Sequence, residues 1–222
     1  VGSEMCIRDR REVGCFEERL PFRLGGDDVD IGLRITSAGH SLAQNPKAIV
    51  IHSAETWGKV AVLRRALRWG RVQFHLFRRH PTHRRLSLAS VPAIFLLLGL
   101  PSTGISLLLK SWPPLLVPGT WFALYLIAMW ILLATTGRRA RSVCRDWCAA
   151  LLELPFEIGY LIEGLTQGDF RVLYMSLSYV REDEGEPDRI SFGERKAIRY
   201  WAILIALILS IPASAYLYSR GI

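Results

Sequence analysis

Three stretches of the chain are apolar almost without interruption: Leu88–Leu109, Leu115–Thr136 and Ala197–Tyr218. The only charge inside any of them is Arg199, near the start of the third. Each stretch approaches or exceeds the roughly 20 residues a helix needs to cross the hydrocarbon core of a bilayer. A continuous run of this length favours a helix over the alternating strands of a barrel. The pattern is different before them. Asp28–Ala38 sets Val29, Ile31, Leu33, Ile35 and Ala38 among polar residues, with acids in front and Gly39 just past the end. It predicts a capped helix with a glycine stop. Ser41–Gln44 predicts a short strand, Asn45-Pro46 a turn, and the β-branched run Ala48–His52 a buried strand. Lys59–Arg79 is a long basic helix that Pro81 ends.

Charge changes the picture by where it lies. Half of the residues are apolar, yet the formal charge is +8. From Lys59 to Arg85 the bases are Lys59, Arg64, Arg65, Arg68, Arg71, Arg78, Arg79, Arg84 and Arg85, with no acid among them. The block abuts the first apolar stretch. Juxtamembrane bases gain about 1 kcal/mol each beside an anionic leaflet, so nucleic acid is not needed to explain them. Lys110–Pro114 is a short link that makes the first two stretches a hairpin. Arg138, Arg139, Arg141 and Arg145 follow the second, and the positive-inside rule puts them and the polar N-terminal part in the cytoplasm. Cys6, Cys15, Cys144 and Cys148 form no disulfide framework, and the last two, one turn apart, lack the further ligands of a metal site. Val1–Arg10 fits no periodic pattern and is read as non-native sequence.

Ser142–Thr166 is apolar enough for another span, but Asp146, Glu153 and Glu157 fall within about 40° of one another at helical spacing. Leu151, Leu154, Ile158, Leu161 and Leu165 lie on the other side. Acids at mid-membrane cost roughly 3 kcal/mol each. The segment is therefore expected to be an amphipathic helix in the interface, kinked by Pro155. Gly168–Ile190, polar and acidic, is expected to be a loop.

The residues with chemical potential stand earlier. Asp27 and Asp28 occupy a loop-to-helix junction, with Asp30 two residues on. An ionised carboxylate beside an acceptor hydroxyl can act as general base, although first-turn acids commonly serve only the helix. The surrounding order of motifs is more specific. Gly14-Cys-Phe-Glu-Glu18, then Asp27-Asp-Val-Asp-Ile-Gly-Leu-Arg34, then Pro46–His52, then an Arg-rich helix resembles the C-terminal half of the catalytic domain of glycosyltransferase family 2. There a "GxFDE" segment precedes "EDVDLxxRL" and "PxAxVxH". The similarity covers Arg11 to about Arg79.

The resemblance implies a GT-A fold, so residues 11–85 are expected to be an α/β fragment and 86–222 a helical membrane region. It implies transfer of a sugar from a nucleotide-sugar or lipid-phosphate-sugar donor to a glycan or lipid-linked hydroxyl, with inversion. Asp28 would be the base and Asp27 its support; Asp30 would secure the helix and loop around the substrate. A divalent metal, Mn or Mg, is implied, but its DxD ligands belong to a first half that this sequence does not contain. His52 is either a further metal ligand or a histidine bonded to backbone at a strand end. Arg65-Ala-Leu-Arg-Trp69 is similar to the "QxxRW" motif, with Arg in place of Gln. In the family the Arg, here Arg68, contacts donor diphosphate and the Trp, here Trp69, lies near the acceptor. The departure at Arg65 weighs against processive synthesis. The expected location is a bacterial-type plasma membrane, crossed several times. The alternative is a non-enzymatic anchor or transport subunit with a polybasic, lipid-binding helix.

Overall fold

The structure, a computed structural model, describes residues 12–15, 25–40, 42, 58–87, 90–136, 140–177 and 192–219. In chain order these form helices α1 (Asp27–Ser37), α2 (Lys59–Arg79), α3 (Val91–Leu109), α4 (Leu116–Ala134), α5 (Ala140–Thr166) and α6 (Phe192–Ser219). Two short strands, β1 (Arg84–Leu86) and β2 (Met175–Leu177), pair antiparallel with Arg84 opposite Leu177. The chain divides into two compact units. The first is Val1–Ser87 with Pro155–Tyr179, and the second is Leu88–Leu154 with Val180–Ile222.

The first unit is built on α1, α2 and the end of α5. Helix α1 starts after Gly26 and places Asp27, Asp28 and Asp30 in its first turn, where the helix dipole favours anions. It stops as its sequence predicts. Gly39 takes φ 88°, and the N–H groups of Gly39 and His40 donate to the carbonyls of Thr36 and Ile35. The bounds of α2 also match expectation. Its last carbonyls, on Phe77 and Arg78, accept from the Arg84 guanidinium. Helix α2 buries residues on two sides: Val72 and Leu76 beside Gly26, and Phe74 and Phe77 against Tyr160. The Tyr160 ring meets those of Phe74 and Phe77 edge-on, at 6.3 and 5.9 Å between centroids.

Glycine sets how closely α2 and α5 approach. A methyl on Gly70 would collide with the carbonyl of Phe156, and one on Gly159 with the carbonyl of Leu67. The two backbones touch at this crossing.

The α/β fragment expected over residues 11–85 is not seen among the described residues. They are helical apart from β1, and its partner β2 comes from a segment expected to be a loop. Three-residue strands carrying Arg84 and Arg85 leave no alternation to read. The predicted strands Ser41–Gln44, apart from Leu42, and Ala48–His52 lie outside the described residues. The first unit also recruits Pro155–Tyr179, which sequence assigned to the membrane region.

In the second unit three helical segments are long and apolar enough to cross a membrane: Val91–Leu109, Pro113–Ala134 and Ala197–Ser219. In the most apolar 18-residue window of each, 22–28 % is buried, which leaves most of the apolar surface uncovered within the chain. Helix α4 packs along α6. Trp121, Tyr125, Ala128, Met129 and Leu133 of α4 meet Ala202, Ile203 and Ala206 of α6, with Val91, Ile94 and Val143. Ala202, Ala206, Ser210 and Ser214 recur every fourth residue on α6 and are all buried. Small residues at this spacing let membrane helices come close. The Ser210 and Ser214 hydroxyls donate within their own helix, to Leu207 and Ser210 carbonyls, so they need no other partner.

The acids of α5 differ in burial. Asp146 and Glu163 are buried, and Glu153 accepts from Arg199 of α6 at 2.7 Å. Leu152, Ile158 and Ile162 are exposed. Asp146 pairs with its neighbour Arg145, whereas Glu153 and Glu163 meet cations of other helices, which a helical projection of α5 alone does not reveal.

Candidate functional site

Asp27 and Asp28 lie at the start of α1, Asp27 half-buried and Asp28 exposed. One Asp28 oxygen accepts from the Val29 N–H at 2.9 Å. Gly26, immediately before them, lies so close to α2 that a methyl there would strike Val72. At helical spacing Arg65, Arg68 and Trp69 fall within about 60° of Val72 and one to two turns before it. The fold therefore sets the acidic start of α1 on the same face of α2 that carries the Arg65–Trp69 segment. Arg68 and Trp69 are exposed, and the Arg65 guanidinium sits over the Trp69 ring at 5.5 Å.

Asp30 is different. It is fully buried, and its carboxylate meets His80 Nε2 at 2.8 Å, Arg34 at 2.9 Å and Arg79 at 3.1 Å. With three partners from α1, α2 and the residue after α2, the Asp30 carboxylate is enclosed between the two helices. Arg34 extends the cluster by donating to the carbonyls of Val13 and Cys15. His83, next to His80, hydrogen-bonds Ser37 at 3.0 Å. Together these side chains lock α1 to the C-terminal end of α2. His52 lies outside the described residues.

A second buried acid grips α2 from the other side. Glu163 accepts from Arg71 Nε at 2.6 Å and pairs with His75 Nε2 at 3.1 Å, beside the glycine crossing. Burial pushes the Glu163 carboxyl up, but the hydrogen bond and charge of Arg71, with those of His75, outweigh it and hold it below the usual carboxylate value. Nearby, a hydrogen bond from Arg171 holds Asp169 low. Burial, with the Asp169 charge, raises the Tyr160 hydroxyl, which donates to the Met175 carbonyl at 3.0 Å. Sequence reasoning missed Glu163, Arg71, His75, Arg79 and His80 as a group. Arg71, His75 and Arg79 recur every fourth residue, a stripe that could have been read as one paired face.

Among the described residues no three His, Cys, Asp or Glu side chains converge so as to hold a metal ion. No protein-family model, curated protein or solved structure matches the chain.

Proposed function

We propose that the chain carries the acceptor side of an inverting, membrane-anchored glycosyltransferase catalytic domain. The observation that carries this reading is the Gly26–Val72 contact, which brings Asp27 and Asp28 to the face of α2 bearing Arg65, Arg68 and Trp69. A carboxylate base beside a cationic, aromatic segment is what sugar transfer from a phosphate-activated donor needs. The motif order from Gly14 to Trp69 supports the same reading.

Asp28 takes the proton of the acceptor hydroxyl as that oxygen attacks the anomeric carbon. The bond from that carbon to the donor phosphate breaks on the opposite side, giving inversion. Arg65 and Arg68 stabilise the charge that collects on the departing phosphate. Trp69 offers its ring to a sugar. Asp27 supports Asp28, and Asp30 fixes the helix that presents both. The three apolar helices would hold this site at the cytoplasmic leaflet, where a lipid-linked acceptor is within reach. The donor-binding strands and metal ligands must come from other parts of the polypeptide.

The test is made in the complete polypeptide encoded by the reading frame that contains this chain. Membranes containing it are supplied with a panel of radiolabelled nucleotide-sugars, and transfer to lipid-extractable or polymeric product is counted. Asp28→Asn should lower transfer by about a hundredfold or more, the usual worth of a general base. Transfer at the wild-type rate by Asp28→Asn removes Asp28 as base. An upstream frame without a nucleotide-binding half removes the enzyme reading itself.

A further inference from the structure

Helix α2 carries cations along its whole length, but the fold neutralises them unevenly. Every acid the described structure brings to α2 reaches its second half: Asp30 meets Arg79 and His80, and Glu163 meets Arg71 and His75. Arg64 and Arg68 have no acidic partner among the described residues. The first half is also poorly covered. Val60, Leu63 and Leu67 are 59 %, 43 % and 37 % exposed, unusual for aliphatic side chains of a helix that elsewhere buries Phe74 and Phe77 completely. At helical spacing Leu63, Leu67, Val60 and Arg64 occupy one stripe of about 100°, away from the Val72 face that Gly26 touches. Arg68 lies between the two faces.

We infer that this stripe is a docking face for anionic lipid headgroups, independent of sugar transfer. Aliphatic side chains next to arginines that no described acid meets are what an interfacial helix inserts and what a negative leaflet attracts. A soluble acidic partner would be matched by charge but would leave no use for the three exposed aliphatic side chains. The link His80–Ser90 joins α2 directly to the first candidate span, and fully extended it reaches only about 40 Å. The helix is thus held at high local concentration at a bilayer surface, and its uncompensated charge and aliphatic stripe are complementary to that surface.

The 222-residue chain, with its cysteines replaced by serine and Leu67→Cys labelled with an environment-sensitive fluorophore, would be placed in nanodiscs. One set contains phosphatidylcholine alone and the other also phosphatidylglycerol, each with a headgroup-level nitroxide lipid as quencher. Quenching should be strong only with phosphatidylglycerol and should fade toward 1 M salt, where screening is nearly complete. Arg64→Glu changes the charge by two and should weaken attachment about thirtyfold; Arg64→Gln, the milder change, about fivefold. Circular dichroism checks that both variants keep their helices. Equal quenching in the two lipid mixtures, or quenching unaffected by salt and by both Arg64 variants, overturns the inference. So does the same fluorescence response to inorganic pyrophosphate in phosphatidylcholine discs, which would mark a soluble phosphate site. Arg64 is chosen because Arg68 also belongs to the proposed transfer site; loss of lipid response leaves that proposal intact, and the reverse holds for Asp28→Asn.

Discussion

The two halves of α2 have nearly the same composition and opposite surroundings. Around Leu67 and Gly70 the helix meets a backbone crossing, and beyond it two buried carboxylates hold Arg71, His75, Arg79 and the following His80. Before Gly70 the arginines are free of acids among the described residues, and aliphatic side chains stand in solvent. A run of like charges in sequence therefore has no single meaning. What each cation does depends on whether tertiary structure brings an acid to it. The contrast assigns stability to the second half and recognition to the first, and it can be broken at either end.

The largest effect belongs to Asp30. Replacing it with Ala removes the buried carboxylate that Arg34, Arg79 and His80 share. Removing one partner of such a cluster costs about 3–5 kcal/mol. Thermal or chemical unfolding of the first unit, followed by hydrogen exchange of α1 and α2 amides, should show it. A loss below about 1 kcal/mol would mean that the cluster is not what joins the two helices. Gly159→Ala comes next. The obstacle is the Leu67 carbonyl, not a flexible side chain, so the helices must separate. Overpacking of this kind costs about 1–3 kcal/mol. The same readout applies, and exchange should speed up on both sides of the crossing.

Glu163 gives a smaller effect with a distinctive pH signature. Its folded carboxyl lies below the ordinary value, so the stability it provides is fully present above the unfolded value of about 4.3. That stability is lost as pH falls through the lower folded value. Unfolding measured from neutral to acid pH should therefore show wild type losing stability in the acid range and Glu163→Gln losing less. The difference between the two curves isolates Glu163 from Asp169, whose carboxyl is also held low and titrates in the same direction. Parallel curves would separate Glu163 from the hold on α2.

Local patterns were the legible part of this molecule. The three apolar stretches, the bounds of α2 and the glycine stop of α1 depend on neighbours in sequence, and each was readable there. The two acids at the start of α1 were also readable as the head of a helix. What escaped is long-range. Arg71 and Glu163 are 92 residues apart, and nothing within either segment names the other. For the same reason the partner of Glu153, Arg199 on α6, could not be read from α5 alone. Asp30 illustrates the limit most sharply. Two residues from Asp28 and of identical chemistry, it is fully buried while Asp28 is exposed. Only the position of α2 separates a structural acid from an available one.

The smallest predicted effect tests the first half of α2. Arg64→Gln with Arg68→Gln removes two charges that no acid among the described residues compensates. Surface changes away from caps, cores and networks usually stay within about 0.5 kcal/mol. The unfolding midpoint should therefore not move, whereas Arg71→Gln, the same substitution one turn later, frees Glu163 from its hydrogen bond and should lower it. If relieving repulsion among neighbouring arginines matters, the double variant becomes slightly more stable, which fits the same division. A loss as large as that of Arg71→Gln would mean that acids outside the described residues hold the first half too. The arginines there would then be ties like the others, and neither phosphate nor lipid would be needed to account for them.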